Sequence, residues 1–552
     1  MKQEDKRRWA PGSLAVIAAF IAMLLVGLLV VDDYGESTDE RVERQSSIIS
    51  YQEINRVLFG RETFTYMTDH PPIAEYRDRH YGVAVQLPLV AAEDLYRHLY
   101  GKDMTNRQIL QMRHRYTFLV YFLGLLCFYF LLKRLFHSRW LALTGVGMIF
   151  LFGRFFAQSF YNIKDIMFAS LMMIALRLME RILAGNRKPF ACLLFAFSCA
   201  VLVSSRIIGA ALPLFCLAVM LRQDILAARK AIPPTKQGIL GKAQPYLWIC
   251  CAYPLWLAVT PASWSAPLSF SLQYMRVFSN FERWTGQIPY LGTMYDHSST
   301  PWYYFIGYIA LTVPLVNQAF CLTGTFCYGR NLLSKRRQQQ GTAGLLVLFS
   351  LLMILCTLVY QAISHPVVYN GWRHAYYLYP LLVLVAVYGL GKCWNSAKER
   401  KRQWLKVGLI CTVSGSLIFN GVQIAVNHPF EYALFNIAGK PMATGFERDY
   451  WSMADERLLD WATEQGLELP SEQWIHCHVE AEAVPGYLAE KLTDQTEYVL
   501  LNYNLLINTN ALTVEGFTEI HSIWVDQAKI YALLKRNEKL LDDPPYAAVT
   551  IE

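Results

Sequence analysis

Asp32-Asp33-Tyr34-Gly35-Glu36-Ser37-Thr38-Asp39-Glu40 follows directly on an apolar run from Ser13 to Val31. That juxtaposition decides the fold class. The run is long enough to cross a hydrocarbon core. Lys2, Lys6, Arg7 and Arg8 precede it, so the positive-inside rule leaves the N-terminus in the cytoplasm and brings the carboxylates out on the opposite face. Acids this close to hydrocarbon are costly and mark a candidate functional site. A solvated acidic loop capping the helix exit accounts for them equally well at this point. The run is long for the apolar region of a signal peptide and no small-residue cleavage site follows it, so it is expected to stay as a membrane segment.

Working outward, the whole chain carries the same signature. Of 552 residues, 54% are hydrophobic and only 17% charged, against about 25% charged in soluble domains. A polytopic membrane protein is expected. The net charge of +8 does not indicate nucleic-acid binding: residues 427–552 hold 8 Lys and Arg against 21 Asp and Glu, so the basic excess belongs to the apolar part, where topology retains it. Most of the cysteines lie in apolar runs and suggest no disulfide framework. His476-Cys477-His478 looks like a metal site, but neighbouring residues on a strand face opposite ways, which favours a structural role.

The apolar runs read as about eleven spans: 13–31, 116–132, 140–157, 165–182, 190–205, 207–221, 245–261, 302–326, 344–363, 377–391 and 407–426. Basic clusters test the count. Lys133/Arg134/Arg139, Arg181/Arg187/Lys188, Arg222/Arg229/Lys230/Lys236/Lys242, Arg330/Lys335/Arg336/Arg337 and Lys392/Lys398/Arg400/Lys401/Arg402/Lys406 each follow an even-numbered span. All therefore fall on the cytoplasmic side, and an odd number of spans leaves the C-terminal part outside. Residues 1–426 read as the membrane domain, with 32–115 as a large first outer loop whose Tyr81–Tyr100 stretch is amphipathic and suited to the membrane surface. Residues 427–552 read as a small extracytoplasmic α/β domain. Its helices are expected at Asp455–Gln465 and Gly486–Leu492, and its strands at Trp474–Val479, Glu497–Asn502, Ile520–Val525 and Lys529–Leu534.

The polar residues of interest all fall on the outer face. They are Asp39 and Glu40, Asp69-His70-Pro71-Pro72, Tyr161-Asn162-Ile163-Lys164-Asp165, Arg206, Asn370-Gly371-Trp372-Arg373-His374, Asn427 to Tyr432, and Asp449-Tyr450-Trp451. Carboxylates, arginines and aromatics at a membrane edge suit a lipid-phosphate substrate. Arginine presents a fork matched to phosphate oxygens and stays charged when partly desolvated. A carboxylate can take a proton from an acceptor hydroxyl or amine. Aromatic faces stack on sugars and anchor at headgroup depth. A glycosyl phosphate already has a good leaving group, so one base on the nucleophile suffices. Each residue also has a plainer role open to it: Arg206 as a snorkelling side chain, Lys164–Asp165 as a local ion pair at a helix start, His70-Pro71-Pro72 as a rigid turn, and Asp449-Tyr450-Trp451 as a docking segment for the tail.

Tyr34 to Glu40 resembles the Asp-Glu signature that follows the first span in the GT-C superfamily of membrane glycosyltransferases, which includes the protein O-mannosyltransferases and the aminoarabinose transferases that modify lipid A. Asp69-His70-Pro71-Pro72 resembles their Pro-Pro element and Asn162-Ile163-Lys164-Asp165 their Asn-x-Lys-Asp element. Tyr369 to Pro380, His428 to Asn436 and Asp449-Tyr450-Trp451 resemble motifs of bacterial members of the O-mannosyltransferase-like group. The resemblance runs in order from residue 13 to about 451. It implies inverting transfer from a polyprenyl-phosphate sugar to a glycan, lipid or protein acceptor outside the cytoplasm. The implied catalytic residues are Asp39 as general base, Glu40 as its support or acceptor ligand, and Asp165 as the second acid. Arg206, Arg373 and Lys164 would hold the donor phosphate. His70, Tyr161, Asn162, Trp372, His374 and Tyr376 would line the substrate pocket. Some superfamily members use a divalent metal, but this branch is not known to, so no metal or other cofactor is expected. The chain lacks the β-trefoil insertion of the eukaryotic O-mannosyltransferases.

A polytopic carrier or flippase for lipid-linked sugars, or a non-catalytic binding subunit, is the alternative. A transporter needs no such one-sided elaboration, and the halves show no repeat. The chain has no Asn-x-Ser/Thr sequon, which favours a bacterial cytoplasmic membrane over the endoplasmic reticulum.

Overall fold

The computed structural model describes residues 11–65, 70–228, 236–279, 284–334, 341–467, 469–470, 473–479, 483–537 and 549–551. Asp69 of the Pro-Pro element, and Arg229, Lys230, Lys335, Arg336 and Arg337 of the basic clusters, lie outside the described residues.

Every range expected to span the membrane coincides with helix. Among the described residues, six helices are long and apolar enough to cross a bilayer: Gly12–Asp33, Asn106–Phe136, Ile207–Ala228, Thr342–Ser364, Leu378–Glu399 and Gln403–Asn427. The chain is thus an integral membrane protein. A seventh is added if Arg139–Phe150 and Gly153–Tyr161, bent by 69° at their junction, form one span. By length and composition alone, six or seven of the eleven expected spans meet this criterion among the described residues. The shortfall has local causes. Asp165–Leu183 carries Asp165, Arg177, Glu180 and Arg181. Pro189–Ser205 has only 17 residues. The 245–261 run divides into Lys236–Cys250 and Ala252–Ala258, and the 302–326 run into Tyr304–Thr312 and Leu315–Leu333. The second break falls at Val313-Pro314, where proline lacks the N–H a continuous helix needs and disfavours helical geometry before it.

Leu378–Glu399 is the central helix, buried along most of its apolar length. It crosses Leu315–Leu333 at two glycines. A Cβ on Gly389 would lie 2.2 Å from the Phe320 carbonyl oxygen, and one on Gly324 would lie 2.2 Å from that of Val385. Absent side chains let the backbones touch, a frequent device where lipid supplies no hydrophobic drive between helices.

The two ends of the bundle differ. At one end basic residues find acids or the first helix: Arg134 with Glu180 at 2.7 Å, Arg187 with Asp224 at 2.7 Å, and Arg139 with the Ser13 hydroxyl at 3.3 Å. The other end carries the elaboration. Glu40–Phe59 and Leu87–Tyr100 are helices of the first loop, tied by Arg44–Glu93 at 2.6 Å and by Tyr51 donating to Asp94 at 3.0 Å. The helix within Tyr81–Tyr100 begins only at Leu87, and the mostly polar Glu40–Phe59 helix has no counterpart in the sequence reading. The loop 262–301 ends in an antiparallel hairpin of β1 (Gln287–Tyr290) and β2 (Thr293–Asp296).

Beyond the last membrane helix, residues 428–453 run as buried 3-10 turns and loops against this end of the bundle. Helix Ala454–Glu464 follows, then β3 (Trp474–Cys477), helix Val484–Lys491, β4 (Tyr498–Asn502), β5 (Leu512–Val514), β6 (Phe517–Val525), β7 (Ala528–Arg536) and β8 (Val549–Ile551). The main sheet has the order β3-β4-β7-β6, with β3 parallel to β4 and the other pairs antiparallel. β4 is buried on both faces. Tyr498 and Leu500 join the large core continuous with the bundle, while Val499 and Leu501 join a second core with Cys477, Val484 and Leu488. This is the strand's period of two used twice. Cys477 accordingly faces away from His476, whose ring lies 5.8 Å from that of Tyr531.

Gly389→Ala is expected to lower the melting midpoint of the detergent-solubilised protein, because its methyl can be housed only by parting two backbones; overpacking of this kind costs about 1–3 kcal/mol. Gly408, where a Cβ meets nothing within 4 Å, serves as the control, and equal midpoints for Gly389→Ala and Gly408→Ala would remove the crossing from the account.

Candidate active site

Asp39 closes the turn before helix Glu40–Phe59 and makes no capping bond of its own. Its carboxylate is therefore free to leave the helix, and it accepts from the Arg373 guanidinium at 2.7 Å. Arg373 is 3% exposed and Asp39 40% exposed, so the arginine is fixed in the wall while the acid reaches the opening. The guanidinium lies between two rings, 4.8 Å from the centre of Tyr369 and 4.6 Å from that of Trp451, each a cation–π contact. Its Nε has no hydrogen-bond partner and sits 3.9 Å from Asp165.

Asp165 opens helix Asp165–Leu183 because Asn162 starts it. The Asn162 carbonyl oxygen accepts from the backbone N–H groups of Asp165 (2.8 Å) and Lys164 (3.3 Å), the usual way an Asn satisfies the orphan donors of a helix start. Asp165 ion-pairs with Arg206 through its other oxygen. Arg206 ends helix Pro189–Ser205 in extended backbone. Lys164 reaches Glu43 at 2.8 Å and lies 3.8 Å above the Tyr81 ring. His374, beside Arg373, packs edge-on to Tyr369 at 4.6 Å.

Three cations (Lys164, Arg206, Arg373) and three carboxylates (Asp39, Glu43, Asp165) thus converge, with His374 among them. Partial burial pushes the Asp39 carboxyl up, but Arg373 and Lys164 outweigh it and hold it below the usual carboxylate range. Asp39 is ionised at neutral pH and, while so paired, a weak base. Burial, with the positive field of Arg206, Arg373 and Lys164, keeps His374 well below its ordinary value and hence neutral.

Of the residues expected at the site, Asp39, Lys164, Asp165, Arg206, Arg373 and His374 come together. The others do not join them. Glu40 is one helical residue on from Asp39, about 100° around the axis, and faces elsewhere. It accepts from His114 at 3.1 Å and from the Ser37 N–H at 2.9 Å. Burial raises it, but His114 outweighs burial and holds it below the carboxylate range. Asn162 uses its whole amide internally, donating also to Gln158 and Asp165, and has no capacity left for a ligand. Trp372 is buried, donating to Thr312 at 3.0 Å, and the buried Tyr376 hydroxyl accepts from Gln158 at 2.8 Å. Tyr161 is buried edge-on to Trp451 at 5.3 Å, its hydroxyl without a partner. His70 lies 3.1 Å from the carbonyl of Pro71, and no contact joins it to the cluster among the described residues.

Two cavities lie elsewhere among the described residues, and no residue of the cluster lines either of them. One of about 1190 Å³ is lined by Glu36, Glu40, Arg113 and His114 on one side and by Asp455, Glu456 and Asp460 of the tail on the other. The second, about 420 Å³ and mainly apolar, lies between the 151–153 bend and the last membrane helix at Thr412, Gly415 and Ser416. Sequence reasoning missed Tyr369 and Trp451 as the faces on Arg373, and Glu43 as the partner of Lys164. Trp451 had been read as docking the tail. It does so, with its carbonyl accepting from the Thr38 N–H at 3.3 Å, and its ring lines the site as well. A separate cluster ties the first helix exit to the last: His428 bridges Glu431 (2.6 Å) and Asp33 (2.9 Å), and Tyr34 donates to Glu431 at 3.2 Å.

No family model matches the chain, and no curated protein matches it. Among solved structures it is similar to ArnT from Cupriavidus metallidurans in the apo state, at 13% identity over 97% of this chain and 100% of that one, with a TM-score of 0.40. It is similar to the same protein bound to undecaprenyl phosphate at 12% identity over 95% and 98%, TM-score 0.39. It is also similar to the archaeal oligosaccharyltransferase AglB from Archaeoglobus fulgidus in complex with an inhibitory peptide and a dolichol-phosphate, at 12% identity over 88% and 69%, TM-score 0.44. At these identities and scores the likeness assigns this chain no chemistry.

Burial lowers His428, but Glu431 and Asp33 more than offset it, so its value is raised; burial raises Glu431. A raised value contributes stability that is complete below the unfolded value and lost as pH climbs through the folded one. Burial likewise pushes Asp449 up to about 7 and Asp455 up to about 6, with the same sign. The melting midpoint is therefore expected to fall as pH rises from about 6 to about 8, and His428→Gln to remove part of that slope. A wild-type midpoint that climbs over this range would contradict the assignment.

Proposed function

We propose that the chain is a membrane glycosyltransferase that moves a sugar from a polyprenyl-phosphate donor to an extracytoplasmic acceptor with inversion. One observation carries the reading: the most accessible carboxylate of the cluster, Asp39, is paired directly to a buried arginine held between two aromatic faces. A base and a phosphate grip are joined in one ion pair.

The chemistry follows from competition for that pair. A donor phosphate approaching Arg373 and Arg206 brings oxygens that match guanidinium geometry. It takes Arg373 from Asp39, whose affinity for a proton then rises. Asp39 accepts the proton of the acceptor hydroxyl or amine as the nucleophile attacks the anomeric carbon. The bond to the phosphate oxygen breaks on the opposite side, and its electron pair leaves with polyprenyl phosphate. A single displacement inverts the anomeric configuration. Asp165, tied to Arg206, and Glu43, tied to Lys164, hold the remaining cations in place, and neutral His374 offers a hydrogen bond without adding charge. The reading takes the acceptor to approach by the 1190 Å³ cavity, whose wall holds Glu40, the chain neighbour of Asp39, and His114. The reading includes no metal, because Asp39 and Asp165 both face guanidinium groups that supply the charge a divalent ion would bring.

The same proposal takes the membrane domain as residues 1–426 with eleven crossings and the α/β domain as 427–552. The N-terminus is cytoplasmic, the site extracytoplasmic, and the compartment a bacterial cytoplasmic membrane.

The test uses purified protein in detergent, a panel of radiolabelled polyprenyl-phosphate sugars and a membrane extract as acceptor source. Release of polyprenyl phosphate is expected from wild type with one donor sugar. Asp39→Asn should lose it by a factor of about 100–10,000, the usual contribution of a general base, while binding donor at least as tightly, because Arg373 no longer has a competing carboxylate. No turnover, with equal donor binding by both proteins, would favour a carrier or a non-catalytic binding subunit.

A further inference from the structure

The geometry points to Glu447 as the positioning residue for the phosphate grip: its carboxylate shapes the loop that presents Arg373. The inference rests on the reading of Arg373 as the group that holds the donor phosphate.

Glu447 lies in the buried segment that joins the last membrane helix to the α/β domain, and it is 4% exposed. Its two oxygens accept from consecutive backbone amides, Asn370 at 3.0 Å and Gly371 at 2.5 Å. Both residues have positive φ, 55° and 72°. Successive N–H groups in this conformation form a concave nest for an anion, and Glu447 is the anion. Asn370 is a residue that tolerates the left-handed region, and the carboxylate fixes the direction of its N–H and that of Gly371. The rest of the loop is held one residue at a time. The Gly371 carbonyl accepts from Tyr304 at 3.0 Å, Trp372 donates to Thr312 at 3.0 Å, and Arg373 donates to Asp39 at 2.7 Å. Arg373 thus leaves the nest two residues after its second amide, and the direction of its side chain is set by the turn the carboxylate closes.

A carboxylate is a costly choice for this place, since a buried charge must be balanced by partners. The charged and titratable groups that face it are Arg373 of the loop itself, Arg154 of helix Gly153–Tyr161, Tyr304 and Tyr308 of helix Tyr304–Thr312, and Tyr450 of its own segment. Burial pushes Glu447 up to about 7 despite the two amides and the two arginines. Its ionisation therefore falls near neutral pH, and the loop is firmest where it is ionised.

Hydrogen exchange of peptides covering residues 366–376, corrected for the intrinsic rate, and binding of tritiated undecaprenyl phosphate should be followed from about pH 6 to about pH 8 on the full-length protein in detergent. In wild type, exchange at Asn370 and Gly371 is expected to slow, and affinity to rise about tenfold, as pH climbs through about 7. Glu447→Gln should exchange fast and bind at the wild-type low-pH level throughout, about tenfold more weakly than wild type at about pH 8, with the Glu447-linked pH dependence gone. Glu447→Asp should restore part of it, and it carries the test if the Gln variant does not fold. Wild-type exchange and a wild-type binding profile in Glu447→Gln would overturn the proposal, because a merely space-filling residue has no pH dependence to lose. If exchange behaves as stated but undecaprenyl phosphate binds to none of the proteins, the donor reading fails and the positioning role stands.

Discussion

Charge neutrality at low dielectric is the constraint on which the outer end of this molecule depends. Asp39, Glu43 and Asp165 stand against Lys164, Arg206 and Arg373, and removing one partner from a buried pair is costly because the other is left uncompensated. Each pair also joins segments far apart in sequence. Arg373–Asp39 links the tenth expected span to the exit of the first, Arg206–Asp165 links two neighbouring helix ends, and Lys164–Glu43 links the bundle to the first loop. The electrostatics that suit a phosphate ester are thus the same contacts that fix the geometry.

Much of this was legible in the sequence. A charged residue embedded in an apolar or aromatic stretch stands out, as Lys164, Asp165, Arg206 and Arg373 do, and Asp39 stands out by its place just beyond an apolar run. The alternation of basic clusters with apolar runs was enough to place them at one end. What failed to show was direction. Asp39 and Glu40 are adjacent and chemically alike, yet one residue step, about 100° around the helix, sends the first to an arginine and the second to His114. Nothing in the letters fixes where helix Glu40–Phe59 begins, so nothing fixed that divergence. Asn162 illustrates a second limit. The residue types that bind ligands well also start helices well, and only its hydrogen bonds separate the two uses. Glu447 and Trp451 were hidden for a third reason. They lie in a segment read as the start of a soluble domain, and their partners are residues 369–374 and 38, which only tertiary structure brings near. In the tail, the four longer strands were legible as short runs rich in aliphatic and aromatic residues. β5 and β8, with three residues each, are too short to carry a period.

The tail joins the membrane part through two kinds of contact. Apolar residues such as Tyr498, Leu500, Ile530 and Leu533 extend the large core across the junction. Polar contacts then set the register. Arg448 donates to the carbonyls of Thr509 and Lys529, both at 2.6 Å, while the next two residues in the chain pack toward the site. Adjacent residues Glu447 and Arg448 therefore face opposite bodies, one the loop that carries Arg373 and the other the sheet. The connecting segment behaves as a third layer between them.

The contact of Trp451 with Arg373 and Thr38 has a consequence for how the molecule comes into being. The acidic turn leaves the ribosome near the beginning of synthesis, the arginine loop when about two-thirds of the chain is made, and the tryptophan only after the last membrane helix. A nascent chain paused at any earlier point has Asp39 without its arginine, or the arginine without its second aromatic wall. The site cannot exist before the membrane part has been threaded in full and the following segment has folded back on it.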